Sequence, residues 1–364
     1  MSNLDALGSI DSRDPGNMYG AICSLPDQIR TAVTLAGAVA IDPNTFGGFH
    51  NIILCGMGGS AIGGDLARSL LADILPIPMA VCRDYRLPSY AGPDTLVIVS
   101  SYSGNTEETL TTFDQARAKG CRLYAMTTGG ALREIVEREH IPWTLLPGGL
   151  QPRAALGYSF VPLMLFLNRI GLSTFGPSSF TALADFLEVR AKGYALSIPS
   201  QTNPAKQLAL RLYGRIPIIY SGPSVTDAVA VRFKGQINEN AKMPAYTGQF
   251  PECNHNELVG WKIIGAFREF LRVLMLRDGE DHERVAARMD IVGGLIEKQG
   301  VEVIDIRSEG ADRLQRAFSL IHLGDFVSFY LAVLNSVDPT PVEAIESLKH
   351  ELARLPWTAP SGRS

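Results

Sequence analysis

Strand-like apolar runs and helix-like amphipathic runs alternate through the first 150 residues. The apolar runs lie at 51–55, 78–83, 95–100, 121–126 and 142–146, and most stop at glycine, proline or hydroxyl residues. Between them, at 60–72, 106–119 and 131–138, apolar positions recur at the spacing of a helix. Such alternation predicts a parallel sheet covered by helices on both faces. Ligands of such sheets bind beyond the carboxyl ends of the strands.

Gly148-Gly-Leu-Gln-Pro152 interrupts the pattern. A largely helical bridge is expected from about 153 to 212, broken at Gly171, Gly176-Pro177 and Pro199. The second half repeats the plan in weaker form. Ile216-Pro-Ile-Ile-Tyr-Ser-Gly222 matches Asn51-Ile-Ile-Leu-Cys-Gly56 as a strand entering a glycine turn. Val301-Glu-Val-Ile-Asp-Ile306 matches the strand around Val97, which sets Arg307-Ser-Glu-Gly310 where Ser101-Tyr-Ser-Gly104 stands in the first half. The expected architecture is therefore α/β with two similar domains, 1–150 and 213–364, joined by the bridge 151–212. Pro15-Gly-Asn17 and the tail after Trp357 read as frayed ends.

Two strand-to-helix junctions carry candidate chemistry. Thr95-Leu-Val-Ile-Val-Ser100 runs into Ser101-Tyr-Ser-Gly-Asn-Thr-Glu-Glu-Thr109. Ser101, Ser103 and Thr106 can direct hydroxyls into one small volume, where the N–H groups of a helix start also point. That is a cradle for a phosphate monoester, with no lysine or metal required. Asn51-Ile-Ile-Leu-Cys-Gly-Met-Gly-Gly-Ser-Ala-Ile-Gly-Gly-Asp65 is a second such junction. Its glycines, Gly59 among them, permit close backbone approach to a ligand, and Ser60 falls where the helix begins. The spacing does not fit a dinucleotide fingerprint.

The chain has 364 residues, 46% hydrophobic and 19% charged, which is enough for two packed cores. Its formal net charge of −4 argues against a nucleic-acid or membrane-surface binder, which needs a concentrated basic face. The five cysteines (Cys23, Cys55, Cys82, Cys121, Cys253) are scattered and form no C-x-x-C pair, the usage of a reduced cytoplasmic protein. No secretory signal is expected at the N-terminus. Phe326 to Val337 is the nearest approach to a membrane span and is too short. The six histidines do not cluster, so neither a metal nor another cofactor is expected.

The GMGGSAIGGD and SYSGNTEET strings resemble those of sugar isomerase (SIS) domains. With INENAKMPAY (237–246), PECNHNELVGW (251–261) and DPTPVEAIESLKHEL (338–352), the chain most resembles the bifunctional phosphoglucose/phosphomannose isomerases. The resemblance implies two SIS-type domains and a metal-independent aldose–ketose isomerase. It would interconvert glucose 6-phosphate and mannose 6-phosphate with fructose 6-phosphate through a cis-enediol. Such chemistry needs a base between C1 and C2, groups that open the sugar ring, and positive charge for the enediolate. By resemblance Glu239 is that base, His255 and Lys349 open the ring, and Arg153 offsets the enediolate charge. Glu239 is expected directly after the helical run 226–234, and His255 in an imidazole setting fixed by Asn254, Asn256 and Glu257. Lys349 is expected near the end of a helix over 340–352 with Pro341 at its start. The resemblance also implies a homodimer in which the histidine serves the neighbouring active site. The alternatives are an isomerase of a single phosphosugar and a non-catalytic phosphosugar-binding regulator. No basic helix-turn-helix module accompanies the chain to support the latter.

Overall fold

The computed structural model describes residues 4–6, 12–39 and 41–355. These divide into two compact units, one of 25–184 with 341–364 and the other of 1–24 with 185–340. The tail after Trp357 lies outside the described residues.

In the first unit, α2 (Leu25–Ala38) precedes β1 (Asn51–Cys55), α3 (Gly58–Leu70), β2 (Met79–Cys82) and β3 (Thr95–Ser101). Then come α4 (Glu107–Ala118), β4 (Arg122–Thr127), α5 (Gly130–Arg138), β5 (Trp143–Leu145) and α6 (Leu156–Arg169). The five strands are parallel in the order β2-β1-β3-β4-β5, with Cys55 level with Val99 and Ser101 level with Thr127. All seven residues of β3 are buried. On one face Ile53, Val97 and Val99 pack with Phe113 and Ala116 of α4. On the other, α3 comes so close to β1 that a Cβ on Gly64 would lie 2.9 Å from Leu54. There Tyr124 stacks on Phe166 of α6 at 3.7 Å between centroids. The chain thus leaves β1 and β3 toward opposite faces, which opens a crevice at their carboxyl ends.

Residues 151–212 are mainly helical and are divided between the two units. They contain α6, α7 (Pro177–Tyr194) and α8 (Pro204–Leu212), whose N-cap Asn203 accepts from Ala205 and Lys206 N–H. The boundary between the compact units falls inside α7: Phe180 packs on Phe160, whereas Tyr194 packs on Phe326.

The second unit opens with α1 (Met18–Cys23). Asn17 caps it by accepting from Gly20 N–H, and Asp14 accepts from Met18 and Tyr19, so Pro15–Asn17 is a braced helix start and not a frayed end. The unit's other elements are β6 (Ile216–Ser221), α9 (Val225–Ala241), β7 (Tyr246–Gln249), β8 (Leu271–Arg277), α10 (Glu283–Glu297), β9 (Glu302–Arg307) and α11 (Arg313–Asn335). Helix α12 (Glu343–Ala353) belongs to the first unit. α11 has the length and apolarity of a membrane span (23 residues, mean hydropathy 1.7), beyond the shorter run seen in the sequence. Of its most apolar 18-residue stretch, 94% is buried within the protein, which marks it as a core helix.

The second sheet is also parallel, in the order β7-β6-β8-β9. Set beside β2-β1-β3-β4, this order makes β6 the counterpart of β1 and β8 that of β3. The strand at Val301–Ile306 therefore corresponds to β4, not to the Val97 strand. The true counterpart of the Ser101 turn is Asp278-Gly-Glu-Asp281, after β8.

Candidate active site

At the end of β3, Ser101 is buried. Its hydroxyl donates to Thr106 Oγ1 at 3.0 Å and accepts from Gly104 N–H at 3.1 Å. Ser103 is exposed, and its Oγ accepts from Asn105 N–H at 3.3 Å. Thr106 is the N-cap of α4 but makes no side-chain cap, so its hydroxyl does not take up the first-turn N–H groups. The loop after β4 braces this turn. Gly104 has φ +72°, and a Cβ there would lie 1.7 Å from Gly129 O, so only glycine fits. Asn105 Oδ1 accepts from Ala131 N–H at 2.9 Å.

The second junction meets the first. Met57, the N-cap of α3, also provides no side-chain cap. Ser60 Oγ accepts from Tyr102 N–H at 3.1 Å, joining the start of α3 to the serine turn. A Cβ on Gly59 would lie 2.7 Å from Pro152 O and 3.2 Å from Arg153 N, so the α3 N-terminus rests directly on the 3-10 turn Pro152–Ala154. Arg153 in that turn is buried. Gly59, Ser60, Ser101, Ser103, Thr106 and Arg153 are thus gathered at the carboxyl ends of β1 and β3. Two helix N-termini and a hydroxyl pair form a site suited to an anionic monoester, with the buried Arg153 turn packed against its edge.

Tyr102 was not among the expected residues, yet it holds the junctions together. Its hydroxyl donates to Pro147 O (2.9 Å) and its carbonyl accepts from Thr128 Oγ1 (2.7 Å), while its N–H serves Ser60. The signal was an aromatic residue between two turn serines, a place where a small polar residue is usual.

Glu239 and His255 belong to the second unit. Glu239 is half-buried in the last turn of α9, which runs on to Ala241 and so includes Glu239, where the sequence had placed it after the helix. Lys242 terminates that helix in the left-handed region at φ 56°. His255 is exposed at the end of the 3-10 turn Glu252–His255. Cys253 anchors the turn among Tyr220, Phe250 and Trp261, and burial pushes its thiol up to about 11. The expected polar neighbours bond elsewhere than to the imidazole. Asn254 Nδ2 donates to Pro251 O, Asn256 Nδ2 to Glu252, and Glu257 accepts from the Tyr220 hydroxyl at 2.9 Å. They brace the loop. Lys349 is exposed on α12, which begins at Glu343, with Pro341 ahead of its N-cap Val342 and not at the first helical position.

The second sheet's own loops hold no such cradle. A Cβ on Gly222, after β6, would lie 2.4 Å from Asp281 Oδ1. Asp278 and Asp281 are tied into that loop, with Asp278 N–H donating to Asp281 Oδ2 at 2.8 Å. Burial raises the Asp281 pKa. The carboxylate of Asp281 beside Gly222 makes this loop end unfavourable for an anion.

The bacterial phospho-glucose isomerase C-terminal SIS domain family matches residues 201–352. The bifunctional phosphoglucose/phosphomannose isomerase of Caldicellulosiruptor bescii is 44% identical over 342 residues, covering 93% of this chain and 99% of that protein. The Aquifex aeolicus protein of the same name is 39% identical over 84% of this chain and 91% of its own. The tagatose-6-phosphate ketose/aldose isomerase of Escherichia coli shares the fold at TM-score 0.69 and 15% identity, covering 89% of this chain and 95% of that one. The second sheet thus belongs to a SIS domain, and the chain is a member of the bifunctional phosphoglucose/phosphomannose isomerase family.

Proposed function

We propose that the protein interconverts glucose 6-phosphate and mannose 6-phosphate with fructose 6-phosphate, without a metal, through a cis-enediol. The observation that carries this reading is the convergence of two helix starts without side-chain caps and the Ser101–Thr106 hydroxyl pair, with the Arg153 turn packed against Gly59. The substrate phosphate sits on Gly59, Ser60, Ser101, Ser103 and Thr106. His255 and Lys349 open the pyranose ring. Glu239 takes the proton from C2 of the open aldose and returns it to C1, and Arg153 offsets the charge of the enediolate without exchanging protons. The glucose and mannose epimers give the same enediol once C2 loses its proton, so rotation about C2–C3 links the two reactions.

The working form is a cytoplasmic homodimer with shared active sites. Support comes from exposed His255 and the exposed apolar side chains that follow it in sequence. Val259, Ile263, Phe267 and Phe270 are 74%, 87%, 68% and 55% exposed. An apolar run of that extent is suited to burial against a second copy. The reading is tested with Glu239→Gln, a near-isosteric change that removes the base. It should still bind fructose 6-phosphate and lose turnover by about 10³-fold or more. Full turnover would remove Glu239 from the mechanism.

A further inference from the structure

Helix α9 carries an unusual seam. Arg232, Gln236 and Asn240, four residues apart on one helix face, are all buried. They face polar residues of α11. Arg232 Nη2 donates to both Asp325 oxygens at 3.0 and 2.8 Å, and Gln236 Nε2 donates to Asp325 Oδ1 at 2.7 Å. One turn on, Asn240 Nδ2 donates to Ser328 Oγ at 2.9 Å, and Ser328 in turn donates to Asp325 O at 2.7 Å. At the helix end, Asn335 Nδ2 donates to Ala241 O at 2.8 Å. The last turn of α9 is thereby tied to α11 on both sides of Glu239, at Gln236 before it and at Asn240 and Ala241 after it.

Stability alone does not require this seam, because a buried ion pair is often matched by apolar residues of similar volume. Apolar helix faces tolerate small rotations, whereas directional hydrogen bonds at successive turns admit one register. A rotation of about 20° about the α9 axis, at a side-chain radius of roughly 6 Å, moves a carboxylate by about 2 Å. A misplacement of about 1 Å can cost on the order of 100-fold in rate. We propose that Gln236 and Asn240 of α9, with Asp325 and Ser328 of α11, are positioning residues that hold Glu239 in register for proton transfer. The inference rests on Glu239 being the base.

The test compares Ser328→Ala and Gln236→Met with the parent protein and with Ser328→Thr, which restores the hydroxyl. Each is measured with glucose 6-phosphate and its 2-deuterated form, and rates are expressed per folded molecule from near-ultraviolet circular dichroism. The expected result is a fall in kcat of about tenfold, KM within about twofold, a larger isotope effect on kcat, and substantial recovery in Ser328→Thr. Unchanged kcat and isotope effect in both variants, whatever their melting temperatures, would overturn the inference. So would failure of both to fold, which assigns the seam to stability. Glu239→Gln is run in parallel. Its full activity would show that the base assignment failed, whereas its inactivity beside normal ladder variants would overturn the positioning role alone.

Discussion

Gly59→Ala and Gly63→Ala place the same methyl group one helical turn apart on α3, with opposite expected outcomes. At Gly59 the new Cβ lies 2.7 Å from Pro152 O, so reaching an ordinary contact of 3.4 Å requires the Pro152–Ala154 turn to retreat by 3.4 − 2.7 = 0.7 Å. The obstacle is backbone, which cannot rotate away, and overpacking of this kind costs about 1–3 kcal/mol. At Gly63 the nearest atom is Phe160 Cα at 3.9 Å, an ordinary contact. There alanine gains helix propensity, about 1 kcal/mol. Gly59 also lies within α3 and shares that gain, so the two variants should differ by roughly the overpacking cost, about 1–3 kcal/mol in stability. The retreat also moves Arg153 and the start of α3 apart, so kcat/KM for fructose 6-phosphate should fall about tenfold or more in Gly59→Ala. Gly63→Ala should keep the parental value. Chemical denaturation and steady-state kinetics on both proteins decide it. If Gly59→Ala matches Gly63→Ala in stability and kcat/KM, the close seating of α3 on the Arg153 turn has no functional weight.

Two further predictions concern the second unit. His322 is wholly buried against Tyr194 and Phe326, with Nε2 3.2 Å from Ile22 O. Burial, helped by the charges of Arg190 and Arg232, lowers its pKa to about 4. Because the folded value lies below the unfolded one, this stabilisation is complete above about pH 6.5 and is lost as pH falls through about 4, costing about 2 kcal/mol by pH 5. Buried Asp325, whose pKa is raised, opposes the trend but is common to both proteins in a comparison with His322→Gln. Urea titrations should show a shallower stability loss between pH 7 and 5 in His322→Gln, and equal slopes would contradict the buried neutral imidazole. For the shared-site dimer, Glu239→Gln and His255→Ala homodimers should each be inactive. Equimolar co-refolding should restore about a quarter of the parental activity, since half the dimers are mixed and each has one intact site. No recovery would place both residues in the site of one subunit.

Much of the first sheet was legible because most of its strands are largely apolar runs that end at glycine, proline or hydroxyl residues. The phosphate loops were legible for the same reason: Ser101, Ser103 and Thr106 are neighbours in sequence before they are neighbours in space. β8 was missed because Leu271-Arg-Val-Leu-Met-Leu-Arg277 carries an arginine near each end. Those charges are matched by partners across the fold, Arg272 by Glu302 and Arg277 by Asp305. That omission displaced the alignment of the two halves by one strand. The end of α9 was misjudged because Asn238 and Asn240, on either side of Glu239, are weak helix formers. Tertiary bonds to α11 override their propensity. Glu239, His255, Lys349 and Arg153 share no local pattern, so their roles came only through family resemblance.

The most direct test of the central claim is a coupled assay of the protein acting on fructose 6-phosphate in EDTA, following glucose 6-phosphate and mannose 6-phosphate separately. Both products should form at comparable rates. Formation of glucose 6-phosphate alone would contradict the shared enediol, and formation of neither, with fructose 6-phosphate still bound, would contradict the isomerase reading.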